Sequence, residues 1–145
     1  MTKSMVSMMF LFLLILSGTA LAANWVHLDK ESIAGEPVDV YVDSDSVIKN
    51  GDTITFWRLT VWEKPDMFIG AKQELQKWEA KQVRQGKTLE VYTYDSDKKI
   101  ISSNPNIKMS SYTSYDVNAP GGKVIDLAFQ YAKEGKDSGQ KPALP

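Results

Sequence analysis

The run Tyr41–Trp62 constrains this chain more than any other stretch. Asn50-Gly51 lies near its middle, and both residues tolerate the positive φ of a tight hairpin turn, predicted over Lys49–Asp52. On the approach side, Val38, Val40 and Val42 alternate with Asp39 and Tyr41, the period of a half-buried strand. Asp43-Ser44-Asp45-Ser46 is turn chemistry, with side chains that bond their own backbone. Thr53–Glu63 is the longest strand candidate, and its alternation changes phase. Ile54 and Phe56 share one face, while Trp57, Leu59 and Val61 share the other. Such a strand is either covered on both faces or bulged near Phe56-Trp57. Lys64-Pro65-Asp66 ends it, because proline cannot donate to a ladder.

The flanking segments are read in the same way. Asn24–Leu28 is a short first strand, with Trp25 and His27 on one core-facing side, and Asp29–Pro37 is a loop. Met67-Phe68-Ile69-Gly70 is an apolar knot where a loop is expected. Ala71–Gln85 is built from helix formers, and Leu75 and Trp78 lie one turn apart, but Gln82 breaks the stripe. Gly86-Lys87 is a turn, Thr88–Tyr94 a strand, Asp95–Lys98 a turn and Lys99–Ser102 the returning strand. Ile107–Tyr115 is a weaker strand. After Pro120-Gly121-Gly122, residues Lys123–Glu134 form a helix with Val124, Ile125, Leu127, Ala128, Tyr131 and Ala132 on one face. Asp126 in its first turn, Lys133 in its last and Gly135 as its stop all suit a helix. Residues 135–145 read as a disordered tail.

A chain of 145 residues suggests one domain. Lys3, the apolar run Met5–Leu16 and Ala20-Leu21-Ala22 read as a cleaved signal peptide over residues 1–22. The run is too short to span a bilayer comfortably, which takes ~20 residues. The expected protein is therefore exported, to the periplasm, the cell surface or the medium, with its domain over residues 23–134. With no cysteine there is no thiol for a lipid anchor and no disulfide, so the core holds the fold alone. Trp25, Trp57, Trp62, Trp78 and the tyrosines supply its bulk. Removing residues 1–22 takes away Lys3 and shifts the formal charge from −1 to −2. Such a balance gives no field that would draw in nucleic acid.

No catalytic or metal constellation stands out. His27 is the sole histidine and has no serine or cysteine motif to serve. The pairs Asp43/Asp45 and Asp95/Asp97 lack the further ligands and closing glutamate of a calcium loop. Glu63, Asp66, Glu74 and Glu79 show no spacing that favours a glycosidase pair. Gly121-Gly122 lacks the Lys-Ser ending of a phosphate loop, and no cofactor motif is legible. The candidate contact residues are Lys77, Trp78, Lys81, Arg84 and Lys87, a basic stretch with an aromatic inside it. The competing reading is an ordinary mixed-charge face, balanced by Glu74, Glu79 and Glu90.

Three pieces, in this order, carry a family resemblance. They are Tyr41-Val42-Asp43-Ser44-Asp45-Ser46-Val47 followed by Trp57-Arg58-Leu59, then Val91–Ser102, then Tyr115–Gly122 ahead of a helix. Over roughly residues 25–132 the chain resembles the surface-adhesin protein E family of small exported bacterial proteins. That resemblance implies an α+β fold: one curled antiparallel sheet of about six strands with a C-terminal helix packed on it. It places a strand, not a helix, over Ala71–Gln85 and a serine cap where this chain has Gly122. Relatives often pin the last helix with a disulfide, which this chain cannot form. It also implies non-enzymatic binding of extracellular or host proteins, and in some relatives of haem. A small-ligand carrier or inhibitor is the alternative, and a hydrolase the third. An unpaired sheet edge leaves a homodimer open.

Overall fold

The computed structural model describes residues 22–108 and 110–145, so the expected signal peptide lies outside the described residues save for Ala22. The strands are β1 (Trp25–Ile33), β2 (Glu36–Asp43), β3 (Ile48–Asn50), β4 (Thr53–Trp62), β5 (Gln73–Lys81), β6 (Gln85–Tyr94), β7 (Ile100–Asn104), β8 (Thr113–Ser114) and β9 (Lys133–Glu134). Among the described residues one α-helix, α1, spans Pro120–Gln130. The main sheet runs β1-β2-β4-β5-β6-β7, antiparallel throughout. It curls as a half-barrel of six strands with the helix against it, an α+β fold.

The phase change in β4 is resolved by cover on both faces, since β4 pairs with β5 without a break from Thr53 to Val61. On one face Ile54 and Phe56 pack with Val38, Val40, Val42, Trp78 and Ala80 beneath Val124, Ile125 and Ala128 of α1. On the other face Trp57, Leu59, Leu75, Tyr92 and Tyr94 form a second cluster, joined by Trp25, Tyr41 and Val61. Bulges lie elsewhere, in β1 between His27 and Asp29, in β6 at Leu89 and in β7 at Ile101. Each adds local twist and helps the sheet curl.

Several local expectations are corrected. Asp29–Pro37 is not a loop, because β1 continues to Ile33 and turns through Ala34-Gly35, both at positive φ. The alanine hid this turn, since a Cβ disfavours that region. The β3–β4 loop is Gly51-Asp52, with Asn50 paired to Thr53, so only the glycine takes positive φ. The β5–β6 turn is Gln82-Val83-Arg84 rather than Gly86-Lys87. Gly86 is a strand residue, where a Cβ would sit 3.0 Å from the Trp78 ring. Among the described residues, Ile107–Tyr115 contributes Thr113–Ser114 alone to the sheet. The helix begins at Pro120, whose missing N–H suits the first position, and ends at Gln130. Gly122 is thus a helix residue and not a cap, Asp126 lies beyond the first turn, and Lys133–Glu134 pair in parallel with β3. Trp25 packs in the second cluster, whereas His27 stays exposed, 3.0 Å from Asp39 and against the Tyr41 ring.

Candidate functional site

The basic stretch does not form one open surface. Residues 77–81 lie in β5, where successive side chains point to opposite faces. Trp78 therefore lies in the helix-side core, stacked on Tyr115 with ring centroids 5.5 Å apart. Lys77 lies on the other face and is only 7% exposed. It pairs with Asp137, stands 3.7 Å from Glu90 and approaches the Trp57 ring at 5.7 Å. Lys81 and Lys87 converge on the Tyr112 ring, at 4.4 and 4.9 Å, and Lys87 pairs with Glu79 at 3.1 Å. Tyr112 donates its hydroxyl to Glu79, and burial together with that carboxylate pushes its phenol up to about 12. Arg84, in the turn, pairs with Asp126 of α1 at 3.1 Å. Lys77, Arg84 and Lys87 are thus matched by carboxylates, Lys81 lies over the Tyr112 ring, and Trp78 is core.

The second face carries an arrangement unforeseen in the sequence reading. Residues 136–145, expected as a disordered tail, return across the aromatic cluster. The Trp25 indole donates to the Ala143 carbonyl at 3.0 Å. Leu144 packs into the cluster of Trp57, Leu59, Leu75, Tyr92 and Tyr94. Pro142 is buried, Lys141 lies 4.1 Å over the Tyr92 ring, and Lys98 donates to the Pro145 carbonyl at 2.7 Å. At the head of the segment Asp137 meets Lys77. Burial pushes the Asp137 carboxyl up, but Lys77 and the Gly139 N–H outweigh it and hold it below the ordinary value of 3.8. Composition hid this packing, because Leu144 is the residue of this otherwise polar segment that enters the cluster. The signal that could have revealed it is the spacing of Pro142 and Pro145.

The apolar knot between β4 and β5 is a formed loop. Met67 and Phe68 are 86% and 87% exposed, and Ile69 is 64% exposed. The Asp66 carboxylate accepts the N–H groups of Phe68 and Ile69, both at 2.9 Å. The Gly70 N–H bonds back to the Asp66 carbonyl at 2.8 Å, and the Asp66 N–H to Ala71 at 2.9 Å. Lys72 Nζ ties the base of the loop, donating to the carbonyls of Trp62 and Glu63 at 2.6 and 2.7 Å. Three large apolar side chains are therefore held in solvent by a backbone with little freedom.

Several further polar groups are committed to structure. Asp43 and Asp45 line a cleft of about 250 Å³ with Asp137 and Trp57. Asp43 accepts from the N–H groups of Asn24 and Asp45, at 3.0 and 3.2 Å, and Asp137 is held by Lys77. Burial raises the Asp43 carboxyl against those two bonds. A second cleft of about 440 Å³ is lined by Lys49, Asp52, Lys81 and Gln82, and Val83, Phe129 and Ala132 supply its apolar wall. Among the described residues no group of three potential metal ligands comes together. Arg58 is 7% exposed beneath the helix, 4.6 Å over the Trp78 ring and bonded to Thr60 at 3.2 Å. Burial lowers its pKa, partly offset by Glu74. Among the described residues no helix is long and apolar enough to cross a membrane.

Comparison of the chain with protein-family models, with curated proteins and with solved structures returned no match.

Proposed function

We propose that this chain is an exported, non-enzymatic binding protein of the adhesin kind, which contacts an extracellular or host protein. The observation that carries this reading is the Met67-Phe68-Ile69 loop. Water-exposed clusters of large apolar side chains mark interaction sites on proteins that are otherwise well packed. Anchors held in place before contact also save the ordering cost of binding. The order of the three sequence motifs given above supports the same reading. Contact through Lys77, Trp78, Lys81, Arg84 and Lys87 has less support, because Lys77, Arg84 and Lys87 are paired with carboxylates, Trp78 is buried and Lys81 is engaged by the Tyr112 ring.

The test is a thermal-shift screen of the chain against matrix and plasma proteins, acidic glycans and haem, since a ligand of the folded state raises the melting point. A protein partner is expected. Substituting Phe68→Ser and Met67→Ser together should weaken that partner at least ~10-fold, as loss of central anchors does. The melting temperature of the free chain should not fall, because these side chains are exposed. A partner bound equally well by the double variant would sink the loop as the contact. A haem-only shift would move the reading to ligand carriage.

A further inference from the structure

The second face of the sheet bears on what is bound. We infer that its aromatic groove is a receptor for an extended, proline-containing peptide segment of a partner protein, and that residues 141–145 occupy it in cis. This deepens the binding reading and rests on it only in making the chain a binder. It uses residues other than the Met67–Ile69 loop.

The groove is built from Trp25, Tyr41, Trp57, Leu75, Tyr92 and Tyr94. The segment in it reads Lys141-Pro142-Ala143-Leu144-Pro145, with two prolines three residues apart. Such spacing pre-sets an extended chain with little entropy left to lose, and aromatic-lined grooves are the general receptors for it. The contacts divide as that mode requires. The Trp25 indole takes a main-chain carbonyl at 3.0 Å, which any residue can offer at that position. Leu144 fills the apolar part of the groove, and Lys141 sets the direction by lying over Tyr92 at 4.1 Å.

The occupant is therefore defined by what is seated there: a basic residue, proline, a small residue, a large apolar residue, proline. The tail is anchored at its start by β9 against β3 and by the Asp137–Lys77 pair, and Gly139 lies between that pair and Lys141. A segment tethered this way competes at an effective concentration of the order of millimolar. An incoming segment needs the same chemistry with better contacts or higher valency.

The test uses the full chain carrying Pro142→Gly and Leu144→Ser, which loosens the tail. The probe is a synthetic Gly-Gln-Lys-Pro-Ala-Leu-Pro peptide, with a scrambled peptide as control, read by tryptophan fluorescence and calorimetry. The variant should bind the probe at least tenfold more tightly than it binds the scrambled peptide. The wild-type chain, with its tail in place, should bind the probe at least tenfold more weakly than the variant does. A variant with native near-ultraviolet circular dichroism and no preference for the probe overturns the inference. If the variant does not fold, a nitroxide-labelled probe is titrated into the wild-type chain. Broadening of the Trp25, Trp57 and Tyr92 resonances beyond the scrambled control supports the groove, and equal broadening overturns it. A wild-type dimer in light scattering that Leu144→Ser abolishes would assign the groove to the tail of a second copy and overturn the partner assignment. Loss of partner binding in the Phe68 and Met67 variant leaves the groove untouched, so the two readings fail separately.

Discussion

At the scale of single residues, the tightest constraints come from glycines and from one tryptophan. A Cβ at Gly122 would lie 2.0 Å from the Asp116 carbonyl, and one at Gly121 would lie 2.5 Å from the Tyr115 ring. The helix can start at Pro120 only because both positions lack a side chain. Gly122→Ala is therefore expected to cost about 3 kcal/mol, at the upper end for overpacking because the obstacle is backbone. The measurement is urea unfolding, with Gly51→Ala as the control for left-handed backbone strain without a clash, since φ there is +65° and nothing lies within 4 Å of a Cβ. A Gly122 cost no larger than the Gly51 cost would refute the steric argument. Tyr115, which blocks Gly121, also stacks on Trp78, and Trp78 in turn lies under Arg58. The sequence reading held Gly122 to be a substitute for a serine cap. It could not see that the glycine answers a carbonyl six residues earlier.

At the scale of elements, β5 is the instructive case. Its residues are helix formers by intrinsic preference, worth only a few tenths of a kcal/mol each. The sheet offers more. Leu75 and Trp78 are buried on opposite faces, and β5 pairs with β4 on one side and β6 on the other. Burying each such side chain contributes ~1.5–3 kcal/mol, which outweighs the summed preference. A peptide of residues 71–85 is thus expected to show no strand signal alone in water and to become helical in trifluoroethanol by far-ultraviolet circular dichroism. A strand spectrum for the isolated peptide would show that the segment needs no neighbours, contrary to this account. The β4 strand was legible for the opposite reason: its own two-sided apolar pattern states that both faces are covered. The β1–β2 hairpin was not, because Ala34 adopts positive φ without a residue type that announces it.

At the scale of the whole molecule, the two cores are closed by different devices. The helix closes one, and the returning tail closes the other. Asp137 links the tail to Lys77, which is otherwise left with Glu90 and the Trp57 ring. Its carboxyl is held below 3.8 in the folded chain, so its contribution is complete above that value and is lost as pH falls through the lower folded value. Asp137→Asn should therefore lower the melting temperature at pH 7, and the gap to wild type should close below about pH 3.8. Thermal unfolding at pH 7, 5 and 3 measures this. A gap that is constant over that range would mean the tail is held without the ion pair.

Local chemistry on its own determined the valine alternation of β2, the hairpin glycine at Gly51, the double-faced β4 and the presence of a final helix. Each of these is a matter of period or of backbone freedom, which neighbouring residues express among themselves. The apolar knot at Met67–Gly70 was also visible, although only the structure shows Asp66 holding it open to solvent. The pairing of Lys77 and Arg84 was decided by tertiary structure, because their partners Asp137 and Asp126 lie more than forty residues away. So was the fate of residues 136–145. Their polar composition predicts a free tail, and only the aromatic face assembled by β1, β2, β4, β5 and β6 gives Leu144 somewhere to go.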